Sequence, residues 1–190
     1  MLKFDKGNHA YTYDGQPVPS VTQVLQDCRL IDFTMVPEAA LTDAAAFGTA
    51  VHLACDYFDL GQLDGESLNA DVNKCLTQWI KFLADFKVEI IESEGQIYSS
   101  RYRYAGTFDR VVKINGRITL LDIKTGIKQK AHGVQTAAYS KAYHEMTGER
   151  VLDRAGVYLD ADSYKFEPHR DKSDESVFMC ALSIYNYKRK

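Results

Sequence analysis

The chain predicts an α/β fold, a mixed β-sheet flanked by helices with an N-terminal helical extension. Three features carry this reading. An Asn115-Gly116 pair sits between two alternating apolar runs, residues 104–114 and 117–123, which is the strongest short-range signal for a β-hairpin. Residues 68–86 space Val72, Leu76, Trp79, Phe82, Leu83 and Phe86 as one helical stripe. Beyond the hairpin, a helical stretch, two short apolar runs and a last helical stretch follow, an order that places helices against a sheet. With 190 residues, 45% of them hydrophobic and only four prolines, the chain can bury one core. We therefore read residues 1–190 as one domain, mainly helical over 1–87 and sheet-bearing over 88–190.

The elements follow in order. His9-Ala10-Tyr11-Thr12-Tyr13, then Asp14-Gly15 and Pro17-Val18-Pro19, read as a short hairpin. Ser20 is placed to cap a helix reaching Leu25. A second helix spans about 39–60 and stops at Gly61, a residue suited to a helix C-terminus. The third is the striped helix, whose aromatics belong in the core. Strands are expected at 88–92 and 96–100, then the two arms of the hairpin. A helix over 132–146 ends at Thr147-Gly148. Strands at 155–160 and 164–168 precede a helix over 176–187. No internal repeat, low-complexity tract or linker is visible.

No apolar run approaches the roughly 20 residues of a membrane span, and residues 1–6 lack an export signal. Cys28, Cys55, Cys75 and Cys180 have no zinc-ligand spacing and read as reduced, buried thiols. A cytoplasmic protein without membrane contact is expected. The net charge is −3, yet Arg101, Arg103, Arg110, Lys113, Arg117, Lys124, Lys128 and Lys130 face only Asp109 and Asp122 between positions 101 and 130, a local net of about +6. A basic strip beside an acidic pair suits a polyanion held next to a metal, although alternating charge is also ordinary on a solvated strand face.

The hairpin fixes a register. If Asn115 and Gly116 are the two turn residues, Ile114 pairs with Arg117, Val112 with Thr119, Val111 with Leu120, and Asp109 falls opposite Asp122. Opposed side chains share a face with Cβ atoms roughly 4.5–5.5 Å apart, and Lys124, two residues on, shares it too. Two facing carboxylates repel unless a cation or a proton lies between them. Elsewhere, His52 lies within an apolar helix, with Gly48 one turn earlier to allow close approach and Asp56 one turn later to orient its ring. Gln135 and Tyr139 share a helix face at i and i+4. His132 and His144 read as surface or capping residues, and His9 and His169 carry no assignment.

Four segments stand in order: Gly48-Thr49-Ala50-Val51-His52, Gly106-Thr107-Phe108-Asp109, Asp122-Ile123-Lys124-Thr125-Gly126 and Gln135-Thr136-Ala137-Ala138-Tyr139. Together they resemble the PD-(D/E)XK nuclease superfamily, in its RecB-like branch, over about residues 18–160. Pro19-Ser20-Val21-Thr22 resembles the start of short virus-encoded exonucleases of that branch. The resemblance implies a restriction-endonuclease-like core and a Mg²⁺- or Mn²⁺-dependent DNA exonuclease with one or two ions, serving viral or bacterial recombination and end resection. It implies Asp109, Asp122 and the Ile123 carbonyl as metal ligands, with His52 as an additional one that tilts the site toward Mn²⁺. Lys124 would position or deprotonate the attacking water, so that Asp109, Asp122 and Lys124 form the catalytic set. Glu94 stands where the family often has a further acidic group, with Glu92 two residues away on the same expected face. Gln135, Tyr139, Arg101, Arg103 and Lys128 would contact DNA or brace the site.

The late cysteine group that holds an iron–sulfur cluster in some relatives has no counterpart here beyond Cys180, and no P-loop is present. No cluster is therefore expected. DNA is the expected partner, along with a single-strand-annealing or other recombination protein and a homo-oligomer as sources of processivity, in the cytoplasm of a bacterium or phage-infected host. Two rival readings stay open. One keeps the site but cuts DNA internally, at flaps, junctions or single strands. The other is a catalytically silent DNA-binding or assembly module, or an unrelated α/β protein in which Asp109 and Asp122 pair with Arg101, Arg103 or Arg110.

Overall fold

The computed structural model describes residues 1–5, 7–8, 10–65 and 68–190. In chain order its elements are β1 (Leu2–Asp5), β2 (Ala10–Tyr13), β3 (Gln16–Val18), α1 (Val21–Asp27), α2 (Glu38–Asp59), α3 (Ala70–Phe86), β4 (Glu89–Ser99), β5 (Tyr104–Ile114), β6 (Arg117–Lys124), α4 (Ala131–Thr147), β7 (Asp153–Leu159), β8 (Tyr164–Pro168) and α5 (Asp174–Tyr187). The chain is of the restriction-endonuclease-like class, a mixed sheet of order β4-β5-β6-β7-β8 with helices on both faces. Only β6 and β7 run parallel, because α4 carries the chain back between them.

Local chemistry explains most boundaries. Asn115 and Gly116 adopt φ of +49° and +76°, the left-handed values that a two-residue hairpin turn requires. Ser20 caps α1 with a full capping box: its hydroxyl accepts from Gln23 N–H while the Gln23 side chain accepts from Ser20 N–H. Gly148 ends α4 at φ +74°. The buried run Thr119–Ile123 makes β6 a central strand covered on both faces.

Two apolar layers sandwich the sheet. On one face α1, α4 and α5 bury Val24, Leu25, Tyr143 and Phe178 against Tyr104, Phe108, Val111 and Leu120. On the other, α2 and α3 bury Val51, Cys55, Leu76, Trp79 and Phe82 against Val112, Ile114, Leu121 and Ile123. The striped aromatics of α3 are thus core, Trp79 and Phe82 being fully buried.

Three features depart from the sequence reading. Residues 89–99 form one strand rather than two. Glu94-Gly95 resembles a turn in sequence, but Glu94 takes φ +49° inside the strand while Ser93 and Gly95 still pair with Arg110 and Phe108. The ladder also slips between Ile90 and Glu92, so the strict two-residue alternation fails there. Second, the N-terminal hairpin gains β1 and becomes a three-stranded sheet, tied to the core by Ala105 N–H donating to the Pro19 carbonyl at 2.9 Å; His9 lies outside the described residues. Third, Cys180 is exposed rather than buried. Among the described residues, no helix is long and apolar enough to cross a membrane.

Gly95 shows how tightly the kink is packed. A Cβ there would sit 2.1 Å from Phe108 Cζ and 2.5 Å from Cε1, and that ring is buried against Tyr143. Gly95→Ala is expected to cost about 1–3 kcal/mol through overpacking, read as a lower urea midpoint with unchanged m-value.

Candidate active site

The β5–β6 ladder runs from Ile114↔Arg117 to Arg110↔Leu121, and Asp109 and Asp122 are the next residues along the two strands. The two carboxylates nevertheless have different surroundings. Asp122 is 2% exposed, and its Oδ2 lies 2.8 Å from Lys124 Nζ, held by charge rather than by a well-directed hydrogen bond. Burial pushes the Asp122 carboxyl up to about 6; Lys124 opposes the rise and Asp109 adds to it. Burial works against the charged form of Lys124 as well, but Asp122 and Asp109 outweigh it and raise that amine.

Asp109 faces another way. Its Oδ2 accepts from Ile123 N–H at 2.6 Å, and its Oδ1 lies 3.5 Å from His52 Nδ1. His52 is delivered by α2, and its Nε2 lies 2.9 Å from the Ile123 carbonyl oxygen. A carbonyl can only accept, so Nε2 carries a hydrogen and Nδ1 is the ring nitrogen turned toward Asp109. One residue, Ile123, thereby aims two side chains at the same space through its N–H and its carbonyl. Glu94 is the third corner: ligand atoms of His52, Glu94 and Asp109 all lie within 4.8 Å of one another. Burial first, then the Asp109 charge, pushes the Glu94 carboxyl up to about 7, against the pull of His52 and Arg110. One imidazole nitrogen and two carboxylates converging on one space are a donor set for a divalent cation.

The grouping differs from the one the register suggests. Glu94, not Asp122, stands with His52 and Asp109, while Asp122 turns to Lys124. Nor does Asp56 orient the His52 ring; it lies 3.5 Å from Arg110 Nη2, and Ile123 and Asp109 hold the imidazole instead.

A cavity of about 550 Å³ opens over this group. Its walls include Phe4 and Tyr11 of the N-terminal sheet, Gly48, Thr49 and Leu53 of α2, and Thr107 and Tyr139. Tyr11 is fixed by a 2.7 Å hydrogen bond between its hydroxyl and that of Thr107. Gln135 is buried behind Tyr139 and donates to its hydroxyl at 3.0 Å. No lysine or arginine lines the cavity among the described residues. The basic strip is dispersed by the fold: Arg101 and Arg103 lie in the β4–β5 turn, Lys128 pairs with Glu167 of β8, and Arg110 is wholly buried.

Sequence reasoning gave Arg110 a place only in the basic strip and as a salt-bridge alternative, and gave Asp59, Phe4 and Tyr11 no role at the site. For Arg110 a signal existed: it shares strand parity with Val112 and Ile114, so a charge there needed a buried acid. His132 is also not a surface residue. It is 8% exposed, with Nδ1 2.7 Å from the Tyr158 hydroxyl. His169 shares a 2.9 Å hydrogen bond with the Thr136 hydroxyl, and His144, at the end of α4, bonds the Glu149 carbonyl at 3.0 Å.

Comparison with known proteins adds independent findings. A family model for the PD-(D/E)XK nuclease superfamily matches residues 77–179, a stretch that holds Glu94, Asp109, Asp122 and Lys124 but begins after His52. No curated protein matches. A crystal structure of a candidate exonuclease from Eubacterium rectale is similar in fold, with TM-score 0.51 and 12% identity over 75% of this chain. The chain spans 65% of the length of that protein. The structure of SSO0001 aligns over 90% of this chain and 84% of its own, at 16% identity and TM-score 0.40.

Two histidines oppose the raised carboxyls of the site at acid pH. Burial first, with nearby cations, pushes His132 down to about 3 and His169 down to about 4. Both are neutral in the folded chain at pH values where the unfolded chain binds their protons. Their contribution to stability is therefore full above about pH 6.5 and is lost as pH drops toward these values, while the raised carboxyls of Glu94 and Asp122 gain stability over the same range. Denaturant titrations between pH 7 and 4 should therefore show wild type losing stability relative to His132→Gln as pH falls.

Proposed function

Because the chain belongs to the PD-(D/E)XK nuclease superfamily, we propose that it is a Mg²⁺- or Mn²⁺-dependent deoxyribonuclease that degrades DNA from an end. The observation that carries the proposal is the convergence of ligand atoms of His52, Glu94 and Asp109 within 4.8 Å, with His52 Nδ1 3.5 Å from Asp109 Oδ1. Superfamily members use divalent metals, and this donor set suits one; the imidazole favours Mn²⁺ over Mg²⁺. His52, Glu94 and Asp109 would hold the ion, with Asp122 as a further carboxylate once released from Lys124. Such an ion polarises a phosphoryl oxygen, lowers the pKa of water and steadies the departing 3′-oxygen.

The chain's own residues supply the rest. Lys124 keeps its proton because Asp122 and Asp109 outweigh its burial, and its charge stabilises the negative charge that grows on the phosphoryl group. The Ile123 backbone holds Asp109 through its N–H and His52 through its carbonyl. Tyr139, braced by Gln135, forms part of the wall against which the substrate lies.

Cavity size favours an end over an internal site. About 550 Å³ is the scale of small-molecule pockets, roughly 300–1,000 Å³, enough for a stretch of one strand between the N-terminal sheet and α2 but not for a duplex. Internal cutting of a flexible single strand in the same cavity is the second reading. The silent-module reading is disfavoured by an intact Asp109, Asp122 and Lys124. Since no cation lines the cavity, the remaining phosphates must be held elsewhere, by exposed residues such as Arg101 and Arg103, by a second copy or by a recombination partner; a role in end resection, viral or bacterial, fits that need.

The test uses linear DNA labelled at either end and a closed circle, with Mg²⁺, Mn²⁺ or EDTA. Metal-dependent loss of linear DNA alone is expected, and Asp109→Asn should slow it by more than about 100-fold, beyond the range of changes around a metal's ligands. Cleavage of the circle would replace the end-directed reading, and unchanged activity of Asp109→Asn would reject the metal assignment.

A further inference from the structure

One basic side chain of the central sheet is sealed from solvent among the described residues. The Arg110 side chain is 0% exposed, on β5 directly after Asp109. Its donors are directed one by one. Nε donates to Asp59 Oδ2 at 2.8 Å, and Nη1 donates to the Asp109 carbonyl at 2.7 Å and to Glu94 Oε1 at 3.3 Å. Nη2 lies 3.5 Å from Asp56 Oδ1 without a hydrogen bond. Asp59, its side chain 2% exposed, accepts at its other oxygen from Trp79 Nε1 at 2.9 Å, and the guanidinium lies 6.0 Å from the Trp79 ring centroid. A line of contacts thus runs from the α2–α3 core to the cavity: Trp79, Asp59, Arg110, Glu94.

We propose that Arg110 is a positioning residue of the metal site, oriented by Asp59 and Trp79, that sets Glu94 and the Asp109 backbone for cation binding. The proposal rests on the reading of His52, Glu94 and Asp109 as the metal-holding group. Two physical effects support it. The guanidinium offers one fixed positive charge to Asp56, Asp59 and Glu94, which lets acids crowd together before a cation arrives. Its planar fork is also directional: with Nε held by Asp59, the Nη1 hydrogens point at Glu94 and the Asp109 carbonyl, which a lysine could not reproduce. Residues that orient metal ligands in this way commonly change metal affinity about 10–100-fold when altered.

Trp79→Phe keeps an aromatic ring in the core and deletes the hydrogen bond to Asp59, and the comparison across the Glu94→Gln background separates that loss from the packing it also removes. Mn²⁺ dissociation constants would be measured by titration calorimetry on the full chain for wild type, Trp79→Phe, Glu94→Gln and the double variant, with urea midpoints in EDTA as a record of folding. The expected result is an about 10-fold weaker Mn²⁺ affinity in Trp79→Phe that vanishes in the Glu94→Gln background. Equal losses in both backgrounds, or none in either, would overturn the proposal while leaving the metal site standing. Should Trp79→Phe fail to fold, Asp59→Asn gives the same comparison, since it keeps the shape and one acceptor. A wild-type chain that binds no Mn²⁺ would overturn the metal reading, and this proposal with it.

Discussion

Two residues in the left-handed region decide where the chemistry of this chain can sit. The Asn115-Gly116 turn leaves no slack between β5 and β6, so every side chain along the hairpin has a fixed partner. A slip of one residue would send Asp122 to the opposite face and Ile123 into the cavity. Because the register holds, the Ile123 N–H and carbonyl lie beside Asp109 and His52, and the backbone of one residue of a central strand orients both. A site built on such a strand is more rigid than one built on loops.

The second constraint is charge. Asp56, Asp59, Glu94, Asp109 and Asp122 surround a small volume, and the protein offsets their repulsion from two sides. Lys124 pairs with Asp122 on the α4 side, and Arg110 neutralises the α2 side. What stays uncompensated is the space between His52, Glu94 and Asp109, where burial and mutual repulsion have already raised the Glu94 carboxyl. A cation entering there relieves the repulsion that the two buried bases leave over. The same arrangement would let a chain of net charge −3 act on a polyanion: positive charge is spent inside, and the attraction for a phosphate at the cavity would come from the ion.

Much of this was legible in the order of residues, for reasons that are local. A two-residue turn, a capping box and an apolar stripe are short-range patterns, and they place β5, β6, α1 and α3. The helix-borne His52 could be paired with the hairpin only through the resemblance of four segments taken together. Glu94 was ambiguous against Glu92, because alternation assumes a regular strand and this one carries a positive φ and a register slip between Ile90 and Glu92. The burial of Arg110 was hidden by counting it with its basic neighbours; charge along a sequence says little when adjacent residues point to opposite faces. The N-terminal wall was missed because the Phe4–Tyr11 stack, with ring centroids 4.6 Å apart, is seated over the site by a hydrogen bond between Tyr11 and Thr107, residues far apart in the chain.

The central claim is the location of the cation, and anomalous diffraction from crystals soaked in Mn²⁺ addresses it directly. The account predicts an anomalous peak bounded by His52 Nδ1 and the carboxylates of Glu94 and Asp109, beneath the N-terminal sheet. No peak in that space, with His52 Nδ1 closing to a hydrogen bond with Asp109, would show that the imidazole and the carboxylate are a salt bridge, and the claim would fall.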